Sequence, residues 1–185
     1  MPFSLPELPY DTSALEPFRT IGTVLAEDVR ERPYASILEE AHPPEGLRPV
    51  VDNTLVDSVD GPLVDAIVTA YAAGGRAIFL RSLGGAFARV DPAGTAFAHR
   101  GAEALIASVA FLPLDATDEQ AAELQAVWRT IGDQGTGAYA GFLSSDTADD
   151  VAALWPVDTL ARLRQVKRTW DPDNVFRRNF NIEPG

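Results

Sequence analysis

The sequence has no cysteine and only two histidines among its 185 residues. The lack of cysteine excludes a disulfide framework, a thiolate zinc cluster and thiol catalysis. Because His42 and His99 stand far apart in the chain, we do not expect a histidine-rich metal site. No spacing of carboxylates predicts a calcium or magnesium site either. Any chemistry must therefore rest on other side chains.

Long apolar runs are missing too, since none approaches the roughly 18 residues of a membrane span. The opening "MPFSLPELPYD" has neither the basic start nor the apolar middle of a signal peptide, so we expect a cytoplasmic protein without membrane contact. The formal net charge of −12 argues against nucleic-acid binding, which relies on neutralising phosphates. With 46% apolar residues, the chain can form one domain with a packed core.

The order of elements predicts an α+β fold, an antiparallel β-sheet with helices packed on one face. The proline-containing residues 1–33 are interpreted as an extended arm, residues 34–155 as the α+β core and residues 156–185 as a C-terminal helix and tail. Within the core, the pattern predicts strands in "RPVVDNTLVDSV", "AIFLRSL", "TAFAHR", "LIASVAFLPL" and "GAYAGFLSS". The stretch "GGAFARV" is either a further strand or the continuation of "AIFLRSL".

Three long helices and one short one, "YASILEEA", are predicted. Asp60 caps the first long helix, whose apolar face is expected to hold Leu63, Val64, Ile67, Val68 and Tyr71. The second opens at Asp118, with Ala121, Leu124, Val127, Trp128 and Ile131 on one stripe. The last covers about residues 149–169, breaks near Pro156 and buries Leu160, Leu163 and Val166. One face of the sheet is left open.

Two residues stand out as candidates for a site on that open face. Strand alternation puts His99 on the same side as Phe97, either as an ordinary strand end in a hydrogen-bonded network or as a pocket residue. Tyr139 lies among glycine and alanine in "GTGAYAGFL", which leaves room for a ligand ring. Tyrosine can act as a general acid or base, but a core or edge tyrosine is the alternative. GxSxG, GxGxxG and P-loop motifs are absent.

The C-terminal stretch is unlike the rest of this acidic chain. It holds six of the fifteen basic residues: Arg162, Arg164, Lys167, Arg168, Arg177 and Arg178. A solvated basic helix face is the usual interpretation of such a run. In "WDPDN", Pro172 predicts the end of a helix, and Asp171 and Asn174 are suited to bond the local backbone.

The stretch "RLRQVKRTWDPDNVFRRNFNI" closely resembles the C-terminal signature of the berberine-bridge-enzyme-like FAD-linked oxidases, which contains DPxNxFRxN. Upstream, "RSLGGAFARVDPAGTAFAHR" looks like that family's substrate-domain hairpin and "GAYAGFLSSD" like its YxN strand. The resemblance implies a substrate domain whose open sheet face covers the flavin ring and whose tail contacts the FAD-binding domain. It also implies a catalytic role for Tyr139. We expect Phe97, His99 and Arg81 to be substrate-binding residues.

Two departures from the family pattern shape this expectation. Nothing in the sequence resembles the family's FAD-binding domain, so we expect no cofactor held by this chain alone and FAD only if a partner supplies it. In addition, the Asn expected two residues after the tyrosine is Gly141. The stretch "FSLPELPYDTSALEP" resembles the opening of iron/manganese superoxide dismutases, but without the histidine helix no dismutase function is expected.

Three functions remain open from the sequence. The first is the substrate-binding half of a FAD-linked oxidoreductase acting on an alcohol, sugar or polyketide-like natural product. The second is a cofactor-independent cyclase in natural-product biosynthesis that uses the vacated flavin face as a pocket. The third is a non-enzymatic binding module that covers its open face by forming a homodimer.

Overall fold

The computed structural model describes residues 33–37 and 43–185, and the chain divides into two units, residues 1–42 and 43–185. In the first unit the described residues include one 3₁₀ turn, Tyr34–Ile37, at the start of the predicted short helix. The rest of that helix lies outside the described residues. So do the arm predicted before Pro33 and the stretch that resembles superoxide dismutases.

The second unit is built on an antiparallel sheet of three strands in the order β1-β3-β2. The strands are β1 (Leu47–Val56), β2 (Arg76–Ser82) and β3 (Ala104–Pro113). Their β-branched and apolar content produced the strand predictions at these three places. The predicted α+β class with an antiparallel sheet is confirmed.

Four α-helices accompany the sheet: α1 (Gly61–Ala72), α2 (Asp118–Gly132), α3 (Ala148–Leu154) and α4 (Val157–Trp170). Asp60 caps α1 by accepting a bond from Leu63 N at 3.2 Å, as predicted. The break predicted near Pro156 is confirmed, since this proline separates α3 from α4. None of the helices in the described ranges is long and apolar enough to cross a membrane.

Helices α1 and α2 pack on the same face of the sheet. The main core joins them to β1 and β3 through Val56, Leu63, Ala70, Ala104, Ile106, Trp128 and Ile131. The predicted apolar face of α1 is partly wrong, because Val64, Val68 and Tyr71 are exposed. Ala70 is buried instead. In α4 the predicted buried side is also only partial, since Leu160 and Leu163 are half-buried and Val166 is exposed.

Two strands predicted between β2 and β3 are not formed. Residues 83–103 instead make a loop of turns whose ends are joined by a bond from Leu83 N to Glu103 O, 2.8 Å long. Gly85 has a φ of +54°, a left-handed value that turns the chain away from an extended path. Asp91 Oδ1 accepts a bond from Ala93 N at 2.8 Å and closes the next turn.

The strand predicted in "GAYAGFLSS" is also wrong. This segment makes one isolated bridge, Leu55↔Gly137, and then a 3₁₀ turn, Ala140–Phe142. The reason lies in β1. Beyond the Leu55 bridge, the backbone of this segment bonds to the side chain of Asn53 instead of continuing a ladder with the β1 backbone.

A buried polar network joins the sheet to α2. Arg76 donates to Ser108 Oγ at 2.6 Å and to Leu124 O at 2.7 Å. Gln125 donates to Asp52 Oδ1 at 3.2 Å. The second carboxylate oxygen of Asp52 lies 4.0 Å from Arg76 Nη1 and has no hydrogen bond. The network therefore ties all three strands to one helix, with a loosely paired carboxylate in it.

Burial raises the pKa of Asp52, although the hydrogen bond from Gln125 and the charge of Arg76 both act to lower it. Burial likewise lowers the pKa of Arg76, against the opposite influence of Asp52. Desolvation disfavours the charged form of each group. Burying the charged forms of Asp52 and Arg76 therefore lowers the free energy of unfolding, and the size of this loss depends on whether Asp52 is protonated.

We expect the stability of the wild-type chain relative to Asp52→Asn to increase as the pH falls from neutral towards 3.8, the ordinary Asp pKa. A carboxyl with a raised folded-state pKa binds more protons in the folded chain than in the unfolded chain. The free energy of unfolding therefore increases as the pH falls through that window. Urea unfolding of both proteins across this range measures the difference.

A Gln125→Leu variant sharpens this test, because it removes the hydrogen bond that lowers the pKa of Asp52. The window is then expected to begin at a higher pH than in the wild type. A relative stability that stays constant or decreases on acidification would contradict the assignment.

Candidate functional site

The face of the sheet opposite α1 and α2 is called the open face here. Pairing register and strand alternation assign to it Val51, Asn53, Leu55, Ala77, Phe79, Arg81, Leu105, Ala107, Val109 and Phe111. A second, smaller core covers one end of it, where Leu83, Phe97 and Phe142 pack on Leu55, Ala102 and Leu105. Elsewhere on this face Phe79 and Phe111 are exposed.

An aromatic cluster lies at this covered end and is formed by Phe87, Phe97, His99, Tyr139 and Phe142. Phe97 is its centre, with ring centroids 5.6 Å from Phe87, 5.8 Å from His99 and 6.2 Å from Tyr139. Tyr139 lies 5.5 Å from Phe142. All four contacts are edge-on, the geometry that aromatic pairs favour.

The Asn53 side chain holds the Tyr139 turn in place. Its oxygen accepts a bond from Tyr139 N at 2.7 Å, and its amide nitrogen donates to Tyr139 O and to Phe142 O, both at 2.9 Å. Asn53 is 4% exposed, and both of its amide hydrogens are used. One buried side chain thus fixes both ends of the turn that carries the candidate tyrosine.

Backbone bonds continue this attachment along the outer edge of β1. Leu55 donates to Gly137 O and accepts from Thr136 N, both at 2.8 Å. At the other end, Ser144 N donates to Val51 O at 2.9 Å. Residues 136–144 therefore follow β1 closely, with Asn53 bridging the interval where the turn leaves the strand.

His99 is held by its neighbours rather than facing open space. Its Nε2 lies 3.2 Å from Leu154 O, and because a carbonyl only accepts, Nε2 carries the proton. A Cβ on Gly137 would lie 2.2 Å from the ring, so only glycine fits beside it. His99 therefore fastens the end of α3 and supports Phe97 from behind.

Two arginines lie over the rings of the cluster. The guanidinium of Arg81 is 4.9 Å from the Phe142 ring and is exposed on the open face. Arg100 lies 5.0 Å from the Phe87 ring and 5.2 Å from the Phe97 ring. Such cation–π contacts stabilise the rings, and they place two positive charges at the edge of the cluster.

Tyr139 itself is 42% exposed, and its ring lies over Gly141. A Cβ at Gly141 would be 2.6 Å from Tyr139 Cε1. The Asn that the family pattern expects at this position would therefore push the ring away from where it lies. The observed position of the Tyr139 ring therefore requires glycine at position 141.

A small cavity of about 170 Å³ lies beside the tyrosine, lined by Ala96, Phe97, Ala138, Tyr139, Ala140, Leu154 and Trp155. Ligand pockets generally measure about 300–1,000 Å³. The cavity can therefore accommodate only part of a ligand, and a complete pocket needs another wall.

A larger cleft of about 550 Å³ lies between α2 and α3, where Asp133, Asp149 and Asp150 stand among its lining residues. Within residues 33–37 and 43–185, no three histidines or carboxylates come together as metal ligands. Trp128 is the aromatic residue in its lining, which holds none of the clustered rings of the open face. Its size alone therefore does not make it the candidate site.

Helix α4 holds the loop that carries Phe97. Arg162 donates to Ala93 O and, at 2.9 Å, to Thr95 O. Part of the basic run thus has a structural role. The Arg162 guanidinium fixes the loop two residues before Phe97, the central ring of the cluster.

The tail after α4 forms a turn around Asp171. This carboxylate accepts from Lys167 Nζ, from Val175 N at 2.7 Å and from Phe176 N at 3.0 Å. The bond from Lys167 holds the pKa of Asp171 below its ordinary value. The turn leaves Trp170, Val175 and Phe176 at least 70% exposed, an unusual amount of apolar surface for one short segment.

The structure brings Phe97, His99 and Tyr139 together, and Arg81 joins them through Phe142. The sequence prediction did not include Asn53, Phe87, Arg100 or Phe142. The one available signal for Asn53 was a polar residue inside a β-branched strand, which must find a partner when buried.

A family profile described as "Berberine and berberine like" matches residues 138–183. Over 41 residues, the chain is 46% identical to (R)-6-hydroxynicotine oxidase from Paenarthrobacter nicotinovorans; this match covers 22% of the chain and 9% of that protein. The predicted resemblance of the C-terminal segment to berberine-bridge-like proteins is therefore confirmed.

Solved structures show the same fold. Aclacinomycin oxidoreductase superposes with a TM-score of 0.63 at 19% identity, covering 82% of this chain and 36% of that chain. Chitooligosaccharide oxidase gives 0.60 at 19% identity, covering 74% and 33%. The chain therefore spans about a third of the length of these proteins.

We expect Asn53→Ala to lower the free energy of unfolding by about 2–4 kcal/mol, because it removes three hydrogen bonds and leaves buried backbone groups unpaired. Urea unfolding measures the loss, and the Tyr139 ring resonances report release of the turn. Gln134→Ala is the control, since that exposed amide donates one bond to Thr130 O. A loss no larger than the control's would show that Asn53 does not hold the turn.

Proposed function

We propose that this chain forms the substrate side of a FAD-linked oxidoreductase and that a partner domain, outside the sequence described, binds the FAD. Its substrate class is an alcohol, sugar or polyketide-like natural product. The observation that carries the proposal is the aromatic cluster on the open face, which joins Tyr139 to Phe97 within 6.2 Å beside a cavity too small for a whole ligand. The family match over residues 138–183 supports it.

The residues of the cluster are suited to contact the isoalloxazine ring of FAD but not its pyrophosphate. A flat tricyclic ring can pack against exposed aromatic side chains, and Arg81 at the border could face an electron-rich edge of it. The sequence offers no glycine-rich motif for the pyrophosphate. The phosphates would therefore be bound by the partner.

Each residue near Tyr139 has a distinct task in this proposal. FAD, when bound, would take a hydride from the carbon of the substrate alcohol. The Tyr139 side-chain oxygen would hydrogen-bond the substrate hydroxyl and help to remove its proton, so that the alcohol becomes a carbonyl. Phe97 would form a wall of the pocket, while Asn53 and His99 keep the turn and the ring behind it in position.

The tail would supply the docking surface for the partner. Trp170 and Phe176 are 82% and 81% exposed, and Asp171 presents them on a rigid turn. Apolar surface of this kind marks contact sites between proteins, and aromatic residues often contribute most of the binding energy.

The cyclase alternative requires a pocket that encloses a folded chain. The cavity beside Tyr139, of about 170 Å³, falls below the usual range for ligand pockets, which at this position favours a site completed by a partner. The replacement of the expected Asn by Gly141 is the feature that supports a cofactor-independent use. The binding-module alternative would cover the open face with a second copy.

We expect the chain to co-elute with a FAD-binding protein or domain that lacks its own substrate domain, and to change the flavin absorbance spectrum. A Trp170→Ser, Phe176→Ser double variant should weaken this association at least tenfold without loss of stability. The control, Val157→Ser, alters another exposed apolar residue. Failure to associate with any such flavoprotein, together with turnover of a substrate by the chain alone, would favour the cyclase.

In the reconstituted complex, Tyr139→Phe is expected to slow flavin reduction by about 100-fold or more, because the proton acceptor is lost. Binding of the partner should be unchanged. Stopped-flow absorbance measures the reduction rate, and Tyr71→Phe, on the exposed side of α1, is the matched control. Equal rates for the two variants would remove Tyr139 from the mechanism.

A further inference from the structure

The two edges of the sheet differ. Residues 136–144 follow the outer edge of β1, as shown above. In the part of the chain that the structure describes, β2 pairs with β3 alone, and its other edge is unpaired there. An unpaired edge can accept another strand.

The backbone groups available on that edge follow from alternation. The backbone groups of Leu55 bond to residues 136 and 137, and Val51 O accepts from Ser144, all on the side of β1 away from β3. Because the bonding direction alternates along a strand, the even-numbered residues of β1 hydrogen-bond to β3. The antiparallel register then turns the odd-numbered residues of β2 towards β3. Ile78 and Leu80 consequently direct their N–H and C=O groups to the free edge.

The surroundings of this edge are apolar. Phe79 and Leu80 are 51% and 52% exposed on opposite faces of the strand. Above β2, helix α1 exposes Val64, Val68 and Tyr71, which form one stripe at helical spacing. A right-handed β1–α1–β2 crossover turns this stripe towards the β2 side of the helix. Edge strands that stay single generally carry charged side chains, proline or a bulge. β2 has no proline or bulge, and its two arginines are engaged elsewhere, Arg76 with Ser108 and Arg81 with the Phe142 ring.

We propose that a second copy of this chain pairs with β2 in antiparallel fashion, with Phe79 on the two-fold axis. This register is self-complementary. It sets Ile78 opposite Leu80, Ala77 opposite Arg81 and Arg76 opposite Ser82, so that no two like charges face each other. Ile78 and Leu80 then exchange backbone hydrogen bonds across the axis.

The same axis brings the two α1 helices together. Because the axis is perpendicular to the sheet, both helices lie on the same side of the joined six-stranded sheet. The stripes of Val64, Val68 and Tyr71 then face each other and are removed from water. Phe79 and Arg81 of the second copy extend the open face beyond β2, which enlarges the surface proposed above for ligand and partner.

The first test is the mass of the full chain in solution. Light scattering after size exclusion should give twice 19.9 kDa. Leu80→Lys should give a monomer, because it places two like charges beside the pairing strands. Leu114→Lys, the same change at a residue 70% exposed after β3, should remain a dimer. A monomeric wild type at sub-millimolar concentration would overturn the proposal.

The second test locates the interface and uses the absence of native cysteine. In the proposed register Phe79 faces its own copy as a non-hydrogen-bonded pair, with a Cα–Cα distance of about 4.5 Å, which is within disulfide range. Phe79→Cys should therefore form a linked dimer rapidly on oxidation. Phe111→Cys, on the same face of β3, is the control and should react slowly.

A dimer in which both cysteine variants react alike would place the interface elsewhere, for example over the open face, and would overturn the proposed register. Protection of the β2 edge amides from hydrogen exchange in a monomer would show that the edge is covered within one chain. Either result is independent of whether a FAD-binding partner associates, so this inference and the proposed function can fail separately.

Discussion

Three successive polar side chains of β1 are buried, and the rest of the structure is arranged to give them hydrogen-bond partners. They are Asp52, Asn53 and Thr54, each 4% exposed. Buried polar groups without partners are costly. Asp52 accepts a bond from Gln125 in α2. Asn53 accepts one bond from the Tyr139 turn and donates two to it. The Thr54 hydroxyl lies 3.4 Å from Gly132 O and Gly137 O. A single strand thereby attaches a helix, a loop and the candidate site to the sheet.

This arrangement explains why the candidate site lies where the sheet ceases to be regular. A regular strand after residue 137 would point its side chains alternately to the two faces. The Asn53 amide instead closes a short turn, and the turn presents Tyr139 to Phe97 and Phe142. Arg162 in α4 holds the opposite loop. The aromatic cluster therefore forms between two irregular segments, each fastened by a polar side chain from a regular element.

Local sequence signals predicted the regular elements well. The three formed strands, the Asp60 cap, the break at Pro156 and the Asp171 turn depend on neighbours in the chain. Predictions failed where a distant side chain decided the outcome. The segments that follow Thr95 and Gly137 have strand-like composition, but Arg162 holds the first and Asn53 holds the second in an irregular path. The exposed stripe of α1 was missed because periodicity identifies an apolar face without showing how much of it the sheet can cover.

The sequence by itself determined the class of fold, the caps and breaks of the helices and the resemblance of the tail to berberine-bridge-like proteins, because these follow from local patterns and spacing. Only the tertiary structure decided that Phe97, His99, Tyr139 and Phe142 form one cluster, that Asn53 positions it and that His99 supports rather than faces the open surface. The reason is physical: a hydrogen bond between residues 86 positions apart leaves no signal in either local segment. Only folding brings its donor and acceptor together.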